Sequence, residues 1–126
     1  GGIVPLEQFA SMKKDNDILV RLIVKKTPGK VVYTAMRNQR TDFPVLTCAL
    51  SNIGGETKAV IGARPAKAMV IRDENGLMPD GKAFAAYVAQ NAPTDSNIRG
   101  SAAYRTHLVG VLVKRAVQAL GNLEVL

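Results

Sequence analysis

The sequence predicts an α+β domain: an antiparallel sheet of three to four strands, covered on one face by helices, with a long helix closing the chain. Three observations carry this. Short β-branched runs separated by turn residues fill the first 72 residues. After them the hydrophobic period changes from about 2 to about 3.6. Strands and helices are segregated along the chain, which argues against a doubly wound parallel sheet. The 126 residues leave room for one core, at about 100–150 residues per domain.

Ahead of the first strand, residues 6–12 give a thin helical signal. Residues 18–25, Ile-Leu-Val-Arg-Leu-Ile-Val-Lys, are predicted as the first strand, ended by the turn Thr27-Pro28-Gly29. Residues 31–34 return as an extended segment and lead into a cationic loop over 36–40. Residues 43–51 and 57–63 are both apolar and are joined by Asn52-Ile53-Gly54-Gly55-Glu56, with glycines where a tight hairpin wants positive φ. By the two-residue period Leu46, Cys48 and Leu50 share one face. Residues 68–71 add a short strand before the turn Asp73-Glu74-Asn75-Gly76.

The helical part begins at Asp80, a good N-cap. Phe84, Tyr87 and Val88 share a face, and Asn91-Ala92-Pro93 is a stop signal. Ser101 caps the last helix, where Tyr104, Leu108, Val111, Leu112 and Ala119 form a stripe widened by Val109, Val113, Val117 and Leu120. His107, Lys114 and Gln118 mark its polar side, and Gly121 fits the position that ends a helix. Arg105 projects into the apolar arc. A guanidinium does not lose its proton, so it is expected to meet a carboxylate, Asp42 or Asp95, or backbone carbonyls there; its place in the first turn leaves snorkelling to the helix end, or contact with a ligand or subunit, as alternatives.

Composition removes several function classes. One cysteine excludes an internal disulfide framework and fits a reducing, cytoplasmic compartment. Cys48 mid-strand reads as a small buried hydrophobe, since no cation is placed to activate it. With a single His and a single Cys there is no four-ligand zinc set, and no catalytic constellation, phosphate loop or GxGxxG array is present. No apolar run approaches the roughly 18 residues of a membrane span, and the opening residues lack a secretory-signal pattern. Gly1-Gly2 resembles an expression scar and residues 122–126 the start of a protease-recognition tag. The organisation read is therefore an N-terminal extension over 1–17, a domain over 18–121 and a terminal remnant.

Residues 96–117, Ser-Asn-Ile-Arg-Gly-Ser-Ala-Ala-Tyr-Arg onward, resemble the terminal helix motif of the flavoprotein subunit of molybdenum hydroxylases, the family of aerobic carbon monoxide dehydrogenase and xanthine dehydrogenase. Arg99, Ser101, Ala102, Tyr104, Arg105, Leu108, Leu112, Arg115 and Ala116 carry the match, while Asn97 stands where the family often has Asp. Arg40-Thr41-Asp42-Phe43-Pro44-Val45 resembles the family's Arg-x-Asp lead into a strand, and Ile61-Gly62-Ala63-Arg64-Pro65 its small-residue turn after the next strand.

The resemblance implies the C-terminal domain of the FAD-binding subunit, which closes over a cofactor held by an N-terminal FAD-binding domain. It further implies an iron–sulfur subunit as electron donor, itself supplied by a molybdenum-cofactor subunit. Arg40, Asp42, Gly62 and Arg64 are then the cofactor-binding candidates: arginine pairs with phosphate or a ring carbonyl, and glycine permits close backbone approach. A fragment of this kind is expected to hold no FAD tightly by itself. The alternative reading is a basic α+β module for nucleic acid or another acidic partner, because 17 Lys and Arg outnumber 10 Asp and Glu, a net charge of +7. Against it, the basic residues are scattered and few aromatics are available for base stacking. Neither a nucleic acid nor a membrane partner is expected.

Overall fold

Regular hydrogen bonding across strands starts at Gly29, not at Ile18. The computed structural model describes residues 2–123. Its elements are α1 (Leu6–Ser11), β1 (Gly29–Arg37), β2 (Pro44–Ile53), β3 (Glu56–Gly62), β4 (Met69–Arg72), α2 (Gly81–Asn91) and α3 (Ala102–Gly121). The four strands form one antiparallel meander in the order β1-β2-β3-β4. Gly54 and Gly55 take φ of 59° and 82° at the β2–β3 turn, the left-handed pair that a two-residue hairpin needs.

Register decides which side chains meet. Val32, Leu50, Ala59 and Ile71 stand in one cross-strand row, and Thr34, Cys48, Ile61 and Met69 in the next. Onto this face pack Phe84, Ala85 and Val88 of α2 and Leu108, Val109, Leu112, Val113, Ala116 and Leu120 of α3, all nearly or fully buried. The opposite face carries the row Tyr33, Ala49, Val60 and Val70 and is left more open, with Tyr33 62% exposed. Apolar burial of about 25 cal/mol per Å² therefore favours placing both long helices on the one face.

Capping follows the sequence reading. The Asp80 carboxylate accepts from Lys82 N and Ala83 N, and Ser101 Oγ accepts from Tyr104 N at 3.1 Å. Asp73 closes its turn by accepting from Leu77 N at 2.8 Å and Met78 N at 2.7 Å. Cys48 is fully buried, and burial pushes its thiol up to about 12, so it stays protonated at neutral pH.

Several expectations need correction. Residues 18–25 form no strand; strand propensity needs a neighbour to pair with, and Pro28, which has no N–H, interrupts the path into β1. The last helix runs through Gly121, with Asn122 as its right-handed cap, so Gly121 does not supply a left-handed stop. Tyr104, placed by periodicity in the apolar stripe, is 42% exposed because it lies in the first turn of α3, at the rim of the core. Phe43 precedes β2 and is 73% exposed. Gly1 and residues 124–126, part of the expression-scar and tag readings, lie outside the described residues.

Candidate functional site

Antiparallel connectivity brings three loops to one end of the molecule: residues 38–43 between β1 and β2, 63–68 between β3 and β4, and 92–101 between α2 and α3. Arg40, Asp42, Gly62 and Arg64 all fall at this end. The loops lack a ladder of their own, so side chains must satisfy their backbone groups. Arg105 and Arg64 do so, and Arg99 adds an ion pair to Asp42.

Arg105 is the central one. It is fully buried, and its guanidinium donates from Nε to Val45 O at 2.9 Å, from Nη1 to Asp95 O at 2.8 Å and Gly100 O at 2.5 Å, and from Nη2 to Asn97 Oδ1 at 2.6 Å. Neither carboxylate expected for it is its partner; Asp95 contributes its main-chain oxygen only. Several neutral dipoles thus replace one carboxylate, and the planar fork of arginine lets them do so simultaneously. Asn97 Oδ1 also accepts from Arg99 N at 2.9 Å, so an amide suffices where the resembling family often has Asp.

Arg64 joins two of the loops. Its Nε donates to Lys67 O at 2.8 Å and its Nη1 to Pro93 O at 2.7 Å, while Asp95 N donates to Arg64 O at 3.2 Å. Arg99 joins the third: Asn38 Nδ2 donates to Arg99 O at 3.2 Å, and Arg99 Nε lies 3.5 Å from Asp42 Oδ1. That separation makes an ion pair but not an aligned hydrogen bond, and the buried Nε has no hydrogen-bond partner. The Arg99 guanidinium sits 5.1 Å from the centroid of the Phe43 ring, within cation–π range.

The four candidates therefore differ in what they are free to do. Arg40 is exposed and makes no ion pair or hydrogen bond among the described residues. Asp42 Oδ1 accepts from Phe43 N at 2.7 Å, and its main-chain oxygen accepts from Arg37 Nη1 at 2.8 Å. Gly62 is buried, and a Cβ on it would stand 2.5 Å from Thr47 Oγ1, so an internal contact requires the glycine. Arg64 spends two nitrogens on loop carbonyls. Sequence reasoning missed Arg37, Asn38 and Thr47; only the strand register, which places Thr47 opposite Gly62, reveals the last of these.

Other chemistry is sparse. Among the described residues no group of three or more His, Cys, Asp and Glu side chains could hold a metal ion, and no helix is long and apolar enough to cross a membrane. His107 is exposed on α3. A surface cleft of about 590 Å³ lies at the far end against Pro28, Lys30, Asn52, Met78, Pro79 and Val117, away from all four candidates.

No protein-family model and no curated protein matches the chain. Solved structures similar to it include two enzymes. The carbon monoxide dehydrogenase of Hydrogenophaga pseudoflava, in a form lacking the Mo-pyranopterin moiety of its molybdenum cofactor, has a TM-score of 0.59 at 18% identity, over 78% of this chain and 38% of that one. Quinoline 2-oxidoreductase from Pseudomonas putida 86 has a TM-score of 0.59 at 12% identity, over 73% of this chain and 36% of that one. The chain thus spans less than two fifths of each matched chain, and shares with part of both the fold of a four-stranded antiparallel sheet covered by two helices.

Proposed function

We propose that the chain is the C-terminal domain of the FAD-binding subunit of a molybdenum hydroxylase-type oxidoreductase, closing over a cofactor that a preceding domain holds. The observation that carries this is convergence. The three segments resembling that family's flavoprotein motifs, around Arg40, Gly62 and Arg105, are far apart in sequence, yet they meet at one end of a fold shared with parts of two oxidoreductases.

The residues at that end fit a shared dinucleotide site in part. Arg40, exposed and unpartnered among the described residues, is the group available to a phosphate or ring carbonyl. Asp42 stands two residues away, anchored by Phe43 N and beside Arg99. Arg64 and Arg105 donate to loop carbonyls, and Gly62 packs against Thr47. When bound, FAD supplies the redox chemistry; this chain binds, orients and shields it. An iron–sulfur subunit fed by a molybdenum-cofactor subunit is the electron source in this reading.

The test is flavin retention. The longer subunit from the same gene is expected to purify yellow with stoichiometric FAD, the 126-residue chain colourless, and Arg40→Ala in the longer subunit to weaken flavin binding about tenfold, the loss of one charged contact. Tight flavin in the 126-residue chain alone would overturn the shared-site reading. Submicromolar nucleic-acid binding with a steep salt slope would favour the basic-module alternative instead.

A further inference from the structure

The segment that fails to form a strand carries the longest run of exposed apolar side chains among the described residues. Ile18, Leu19, Val20, Leu22, Ile23 and Val24 are between 59% and 86% exposed. Single exposed apolar residues are ordinary, but a contiguous run of this kind marks a binding surface. Its pattern is that of a strand: Ile18, Val20, Leu22 and Val24 alternate with Leu19, Arg21, Ile23 and Lys25, so an extended chain presents one wholly apolar face and one mixed face. Its backbone is available too. Among the described residues the only hydrogen bond between main-chain groups of this stretch is Thr27 N to Lys25 O at 3.1 Å.

From this we infer that residues 18–25 are a donated strand, which pairs with the open edge of a β-sheet in the part of the subunit lying outside this chain, with Ile18, Val20, Leu22 and Val24 turned into that sheet's core. The inference rests on the reading above, that the chain is one domain of a larger subunit. The matched chains supply the reason for an occupant of this kind, since more than half of each lies beyond the part they share with this one.

Two nearer occupants fit less well. The chain's own sheet does not take the segment: β1 pairs only with β2, and Gly29, whose Cβ direction is filled by Asn52 O at 2.6 Å, fixes where the chain leaves the sheet. A second copy pairing segment to segment offers only a two-stranded ribbon, which has no layer to cover the apolar face and is marginal in water. A sheet edge in a folded domain provides both the ladder and the core, as in other cases of strand addition. Val31 at 55% exposed and Tyr33 at 62% continue the apolar surface from the segment onto the outer face of β1, so the same partner meets both.

Hydrogen exchange read by mass spectrometry tests this in the 126-residue chain and in the longer subunit from the same gene. Amides of residues 19–26 are expected to exchange near the free-peptide rate in the shorter chain and at least about 100-fold slower in the longer one. Leu22→Lys in the longer subunit is expected to abolish that protection while leaving β2 and β3 protected, which shows that the domain still folds. Fast exchange at 19–26 in the longer subunit overturns the inference, as does protection in the short chain that grows with its concentration, the signature of a second copy. Flavin content separates the two readings. A yellow subunit with fast exchange at 19–26 removes the donated strand alone, a protected but flavin-free subunit removes the cofactor reading alone, and a gene encoding no further domain removes both.

Discussion

The loop end of the domain and residues 2–28 solve the problem of irregular backbone in opposite ways. At the loop end, Arg105, Arg64 and Arg99 reach across long sequence separations to main-chain oxygens and to Asp42, and the segments they hold are packed in place. In the N-terminal part the side chains are more hydrophobic, yet most stand in solvent, and α1 is held by exposed ion pairs from Arg72 to Glu7. Hydrophobicity orders a segment only where a surface exists to bury it. A buried donor with several acceptors orders the loops whatever their apolar content.

The largest effect is expected at Arg105. Arg105→Ala leaves Val45 O, Asp95 O and Gly100 O without their donor, and is expected to cost about 3–5 kcal/mol, since each buried acceptor left unsatisfied costs about 1–3 kcal/mol. Arg105→Lys should restore little, since an ammonium cannot serve acceptors in a planar fork. Val20→Ser in the N-terminal segment, by contrast, should leave stability unchanged within about 0.5 kcal/mol. Urea titrations of the three variants measure this, and an Arg105→Ala midpoint equal to that of the parent chain would contradict the account of the loop end.

A smaller effect is expected at Gly62. Gly62→Ala drives a methyl against Thr47 Oγ1 and should cost about 1–3 kcal/mol, the range for overpacking. Adding Thr47→Ala should return most of that, a coupling that a thermal double-mutant cycle reads directly. If Thr47→Ala gives no rescue, the glycine is needed for another reason.

The smallest effect concerns α1 and is a matter of pH. Hydrogen bonding to Arg72, reinforced by its charge, holds Glu7 below the usual carboxylate range, and the same guanidinium together with Lys58 lowers Glu56. A depressed folded pKa stabilises above the ordinary value of about 4.3 and loses that contribution as pH falls through the lowered one. Docking of α1 should therefore be intact at pH 7 and released in acid, with little change in the global melting temperature because the pairs are exposed. The chemical shifts of Phe9, followed from pH 7 to 3, check this; Glu7→Gln should remove the transition.

Much of the architecture was legible in local residues. Gly54-Gly55, Asp80 and Ser101 act through their own conformational and capping chemistry, which needs no distant partner, and the alternation through Leu46, Cys48 and Leu50 fixed the buried face of β2. That Arg105 would be buried and hydrogen-bonded also follows from its place in an apolar arc. Its actual acceptors do not, because they come from segments whose approach is set by sheet register and loop path. The same holds for Gly62, whose partner Thr47 is its cross-strand neighbour, and for residues 18–25, whose pattern specifies a strand but cannot supply the strand beside it. Caps, turns, strand faces and the charge that must be satisfied are short-range features, readable from local residues. Their partners emerge when the chain folds, since a hydrogen bond or a strand pairing belongs to two segments at once, and one segment's sequence encodes only its own half.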